Sequence, residues 1–100
     1  MIEIKEYKNR EEALEQILML DQDYTLIRHN FEKGEIIELH KHPVDEWVVF
    51  NSGKCDVTLG MESKIIEAKE YTLAIYLPKN ENHRLRCLTD ISYWVLRKTE

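Results

Sequence analysis

One hundred residues, 43% hydrophobic and 33% charged with a formal net charge of −5, suffice for one folded core but lack the basic face a nucleic-acid binder needs. Three glycines and two prolines leave no low-complexity linker, so residues 1–100 read as a single domain. The N-terminus MIEIKEYKNR is no signal peptide and no apolar run reaches the roughly 18 residues of a membrane span, so a soluble, cytoplasmic chain with no membrane partner is expected.

Residues 2–7 alternate Ile2, Ile4 and Glu6 against Glu3, Lys5 and Tyr7, the period of a short edge strand. Asn9 is placed to cap a helix, with Glu12 three residues on to reach back toward the helix start. Ala13, Leu14, Ile17 and Leu18 then recur at helical spacing, which predicts a helix over 10–20. This N-terminal strand and helix occupy about 1–22, and a β-barrel or sandwich fills about 23–100.

After DQD at 21–23 the period becomes two. Strands are expected near 24–31, 35–42, 46–51, 54–60, 63–68, 72–77, 83–88 and 91–98, separated by turn-forming stretches such as EKGE, NSGK and PKNEN. No crossover helices remain to join parallel strands, so the fold class is all-β with one short helix, an antiparallel sandwich or barrel. Trp47 to Phe50 and Leu73 to Leu77 are apolar on both faces, so their second face must be covered by the helix or by another subunit. A homodimer is expected on that ground. Cys55 and Cys87 are too few and too far apart for a disulfide framework or a zinc knuckle, and read as buried reduced thiols.

The heptapeptide HKHPVDE carries the chemistry. Residues two apart on a strand share a face, so His40 and His42 project side by side. Pro43 forces the chain out of the ladder, and the turn returns it so that Glu46 opens the next strand beside them. His83, opening its own strand after PKNEN, is the natural fourth ligand. Three imidazoles and a carboxylate suit one divalent ion among Fe, Mn, Ni, Zn and Cu, whereas Mg and Ca prefer oxygen shells. His29 reads as a surface residue.

The spacing of Gly34, His40, His42, Glu46 and Gly53 resembles the first motif of the cupins. Thr72, Pro78, Asn80, His83 and Cys87 stand where the second motif has Gly, Pro, Gly, His and Asn, so Pro78 and His83 are kept and three positions depart. Asn80 tolerates the positive φ that a glycine there would supply, and Thr72 implies a different turn before its strand. The resemblance covers 34–87 and implies the double-stranded β-helix, a small jelly-roll barrel, with His40, His42, Glu46 and His83 as inward-facing metal ligands.

Alternation from Glu46 and His83 puts Val48, Phe50, Leu85 and Cys87 on the inward face, giving a small, mainly apolar pocket for a compact oxygenated small molecule. Arg28 and Tyr76 are weaker candidates for contacting such a ligand, and Cys87 is either a packing residue or a redox-sensitive thiol near the ion. The resemblance spans dioxygenases, isomerases, decarboxylases and binding proteins, and four ligands that leave two positions of an octahedral ion open favour a metal-dependent enzyme with dioxygenase- or isomerase-like chemistry, its catalytic residues not assigned. A non-catalytic protein that binds metal and small ligand is the alternative, and a purely structural β-domain the third reading.

Overall fold

Period-two alternation becomes an antiparallel two-sheet structure. The computed structural model describes residues 2–20 and 23–99, and Asp21 and Gln22 of the DQD break lie outside the described residues. In chain order the elements are β1 (Glu3–Tyr7), α1 (Arg10–Leu20), β2 (Tyr24–Phe31), β3 (Ile36–His40) and β4 (Glu46–Phe50). They continue with β5 (Gly53–Leu59), β6 (Glu62–Ala68), β7 (Thr72–Leu77), β8 (His83–Cys87) and β9 (Ile91–Lys98). One sheet runs β1-β7-β4-β9-β2 and the other β3-β8-β5-β6, and the ladders within each are antiparallel. This is the jelly-roll arrangement expected. No helix among the described residues is long and apolar enough to cross a membrane.

The inward rows of the two sheets meet in one core that includes Val48, Phe50, Val57, Ile75, Leu85, Ile91 and Tyr93. The outer face of the five-stranded sheet is covered as well. Trp47, Val49, Ala74 and Leu96 form a second cluster with Ala13 and Ile17 of α1, which explains why β4 and β7 are apolar on both faces. The helix therefore meets, within the chain, the need for cover that had pointed to a second subunit. Its start is fixed as read: Glu12 N–H donates to Asn9 Oδ1 at 2.8 Å. Glu12 Oε2 accepts in return from the Lys8 N–H at 3.1 Å, one residue earlier than in the usual capping box.

Gly53 shows why that position of the first motif excludes a side chain. Its φ is +113°, and an added Cβ would come within 2.7 Å of the Ile91 side chain and 2.9 Å of Thr89 Oγ1. Asn80 has φ +62°, the left-handed conformation anticipated for a residue replacing glycine.

The largest departure from the expected elements is at 35–42. β3 ends at His40, and its register against β8 slips between Ile37 and His40: Ile37 faces Leu85 and His40 faces His83, so three steps along β3 match two along β8. That is a β-bulge, and it reverses the facing of every later residue. With Ile37 lining the interior, an unbroken strand would turn Leu39 inward and His40 outward; instead Leu39 is 55% exposed and His40 faces the cavity.

Ile17 is fully buried at the joint between helix and sheet, so Ile17→Ala is expected to cost about 2–5 kcal/mol. A thermal melt followed by circular dichroism should fall by about 10 °C or more. Met19→Ala, at a position 71% exposed, should change the stability by no more than about 0.5 kcal/mol.

Candidate metal centre

Two sheets and two loops deliver the polar end of the barrel. His40 and His83 face each other across the β3–β8 ladder, with ring centroids 4.3 Å apart. Glu46 opens β4 on the opposite sheet, its side chain buried. His42 comes from the segment after β3, not from the strand itself, and that segment is held: the Asn80 N–H donates to the His42 carbonyl at 2.7 Å, and the Lys79 N–H to Asp45 Oδ1 at 2.8 Å. The left-handed turn at Asn80 thus locks the loop preceding His83 onto the loop carrying His42.

The donor atoms converge. His40, His42 and His83 each offer a ring nitrogen within 4.8 Å of the others. Glu46 Oε1 lies 3.5 Å from His42 Nε2 and 3.7 Å from His83 Nε2. His40 Nδ1 is 2.6 Å from the carbonyl of Glu38, inside the bulge. A carbonyl only accepts, so Nδ1 carries the proton and Nε2 presents a lone pair. That lone pair faces His42 Nε2 at 3.0 Å, a separation that needs a proton or a cation between the rings. The set fits a divalent first-row ion: three imidazole nitrogens, one carboxylate oxygen, and a backbone acceptor fixing one ring.

Burial disfavours protonation here. Desolvation is the main cause that lowers the His83 pKa, followed by repulsion from His40, with Glu46 pulling the other way and His42 adding a smaller repulsion. His42 is likewise lowered, mainly by desolvation, against the opposing pull of Glu46. Both rings therefore favour the neutral form that coordinates metal.

The cluster opens into a cavity of about 200 Å³, whose walls include His29, Phe31, Val48, Leu85, Tyr93 and Arg97. Of the residues expected to line it, Val48 and Leu85 do so, while Phe50 and Cys87 lie deeper, around a separate small void that also touches Cys55. They share the inward face but sit too far along their strands to reach the cluster. Cys87 pairs with Cys55 across β5 and β8, and burial raises both thiols, Cys55 to about 12; thiolate is disfavoured, which suits packing rather than redox chemistry. Arg28 and Tyr76 are also elsewhere: the Arg28 guanidinium stacks over Trp94 at 5.5 Å, and the Tyr76 ring packs 4.9 Å from Trp47 under α1.

Three lining residues escaped the sequence reading. His29 packs against both Phe31 and Tyr93 on the cavity wall, at centroid distances of 5.6 and 5.7 Å. Tyr93 is 3% exposed with its hydroxyl unpartnered among the described residues. Arg97 Nε donates to Glu46 Oε2 at 2.7 Å. Strand parity was the signal for all of them. His29 shares its face with Ile27 and Phe31, and Arg97 ends the inward row Ile91, Tyr93, Val95.

A protein-family model described as the cupin domain matches residues 27–93. The chain belongs to the cupin family. Solved cupin-like folds agree in architecture. A conserved protein of unknown function from Streptococcus pyogenes superposes with a TM-score of 0.68 at 18% identity, over 100% of this chain and 75% of its own. A predicted oxalate decarboxylase from Thermotoga maritima gives 0.64 at 16% identity, over 99% and 81%. RmlC from Streptococcus suis, solved with dTDP-D-xylose, gives 0.67 at 17% identity, over 92% and 54%. Curated protein sequences yield no match to this cupin.

The histidines set a pH dependence. Because the folded pKa of His42 and of His83 lies below the usual 6.5, unfolding takes up protons, and stability present above about pH 6.5 is lost as pH falls below it. The urea midpoint of protein stripped with a chelator should drop between about pH 7.5 and 5.5, and His83→Gln should flatten that slope.

Proposed function

We propose that this cupin holds one divalent transition-metal ion on His40, His42, His83 and Glu46, and acts through it on a small oxygenated substrate. The convergence of three imidazole nitrogens within 4.8 Å, with a buried carboxylate beside them, carries the reading. An ion bound there supplies Lewis-acid polarisation of a ligand oxygen or, for a redox metal, dioxygen chemistry. The rest is done by the chain. Glu38 orients His40, Arg97 holds Glu46 Oε2 so that Oε1 faces His42 and His83, and the apolar walls from Val48, Leu85 and Val95 limit water.

The cavity favours a compact ligand. At about 200 Å³ it falls below the roughly 300–1,000 Å³ of drug-sized sites, so a nucleotide sugar of the kind held by the RmlC neighbour is disfavoured. His29 favours turnover over storage. It lines the same cavity outside the cluster, and an imidazole is the side chain best suited to carry a proton near neutral pH. Dioxygenase- or isomerase-like reactions both fit this equipment, and a metal-loaded binding protein is the reading that remains if no small acid or ketone is turned over.

The test is metal analysis of protein purified without an affinity tag and supplied in turn with Fe, Mn, Ni, Zn and Cu. One ion per chain is expected, with affinity reduced by more than about tenfold in His40→Ala and His83→Ala. Wild-type protein that retains none of the five ions would overturn the proposal. Cu and Zn outcompete Mn and Fe at most such donor sets, so the five are offered separately. Oxygen uptake with small organic acids then separates dioxygenase from isomerase chemistry.

A further inference from the structure

Arg97 is placed to do more than hold Glu46. It is the sole Lys or Arg on the cavity wall among the described residues, and Glu46 is the sole acid. Its Nε–H is spent on Glu46 Oε2 at 2.7 Å, and the guanidinium makes no other hydrogen bond or ion pair to the described residues. The terminal nitrogens of the fork therefore have no protein acceptor. With 39% of the side chain exposed, the guanidinium sits at the cavity mouth instead of being sealed beneath it.

We infer that Arg97 is the anchor for a ligand carboxylate, so the substrates of this site are small organic acids. The inference rests on the metal-centre reading and deepens it by naming a substrate class. Its charge balance is direct: Glu46 and Arg97 cancel as a pair, so a divalent ion would leave the cavity with about two uncompensated positive charges. A protein carrying a net charge of −5 otherwise repels anions, so this positive mouth concentrates attraction where the carboxylate must enter. The fork supplies geometry as well as charge. Two parallel N–H groups match the two oxygens of a carboxylate, a match that ammonium or amide groups lack. Apolar Val48, Leu85 and Val95 on the same cavity wall suit a short carbon skeleton between the acid group and the oxygen that faces the ion.

Arg97 is argued here as a binding residue, and the test reads binding. Glycolate and its uncharged analogue glycolamide are titrated by calorimetry into metal-loaded wild type, Arg97→Gln and Arg97→Lys, after the metal content of each has been measured. Wild type should prefer glycolate by more than about tenfold, since a hydrogen bond to a charged group is worth about 1.5–3 kcal/mol. Arg97→Gln should lose most of that preference when compared per metal-loaded site. Arg97→Lys keeps the charge and a donor for Glu46 but not the fork, and should retain an intermediate preference; it is the deciding variant if Arg97→Gln loads poorly. Wild-type protein without preference, or a metal-loaded variant that keeps the full wild-type preference, would overturn the assignment of Arg97. Wild-type protein that takes up no metal overturns the underlying centre instead, a result read before any acid is added.

Discussion

A carboxylate that is almost wholly removed from water must have its charge answered, and the open end of this barrel is organised around that requirement at Glu46. One oxygen receives the Arg97 guanidinium from β9 at 2.7 Å; the other faces His42 and His83 at 3.5 and 3.7 Å. Each contact uses a different part of the chain, so both sheets and the loop between β3 and β4 are fastened at one point. A buried charge with partners on every side is costly to disturb, because removing any one partner leaves the rest uncompensated. The same arrangement sets Glu46 Oε1 beside the ring nitrogens of His42 and His83, and burial favours the neutral, coordinating form of both rings.

The fold was legible because its punctuation is local. Turn-forming residues separate short period-two runs, and the apolar run through Trp47 to Phe50 is explained by α1 laying Ala13 and Ile17 on its outer face. The site was legible where spacing alone decides it, in Glu46 opening β4 and His83 opening β8. What could not be read is the bulge between Ile37 and His40. Nothing in EIIELH marks an extra residue, yet without it His40 would point to solvent and the pair with His83 would not form. His40 and His42 do meet, but His42 reaches its place from a loop pinned by Asn80, not from the strand end that period two implied.

Alternation gives the face of a residue and says nothing of its depth. Phe50 and Cys87 share the inward face with Glu46 and His83, but each lies four residues along its strand, about 13 Å at 3.3 Å per residue, and so at the closed end. The converse error hid Arg97. It continues the inward row Ile91, Tyr93, Val95, but a charged residue at a strand end is usually solvated, and only the register that sets it opposite Glu46 gives it a buried partner. The departures in the second motif sort by the same measure. Asn80 preserves the turn beside the cluster, whereas Thr72 opposes Tyr7 of β1 and Cys87 opposes Cys55, both remote from the histidines.

That separation of ends has a functional corollary. The closed end is filled by aliphatic groups, the Phe50 ring and thiols whose ionisation burial suppresses, so it contributes rigidity and a low dielectric but no reactive group. Chemistry is confined to the cavity, where the three clustered imidazoles, Glu46 and Arg97 gather at the mouth and His29 lines the wall further in, at the level of Tyr93. Rigid packing beneath a polar mouth restricts the movement of the donor atoms, and preorganisation of that kind is what makes fixed dipoles and charges effective on a bound molecule. The bulge in β3 is then the structural feature on which the histidine cluster depends. By a single inserted residue it exchanges an aliphatic wall at Leu39 for an imidazole at His40, and converts the end of an ordinary jelly roll into a site able to hold an ion.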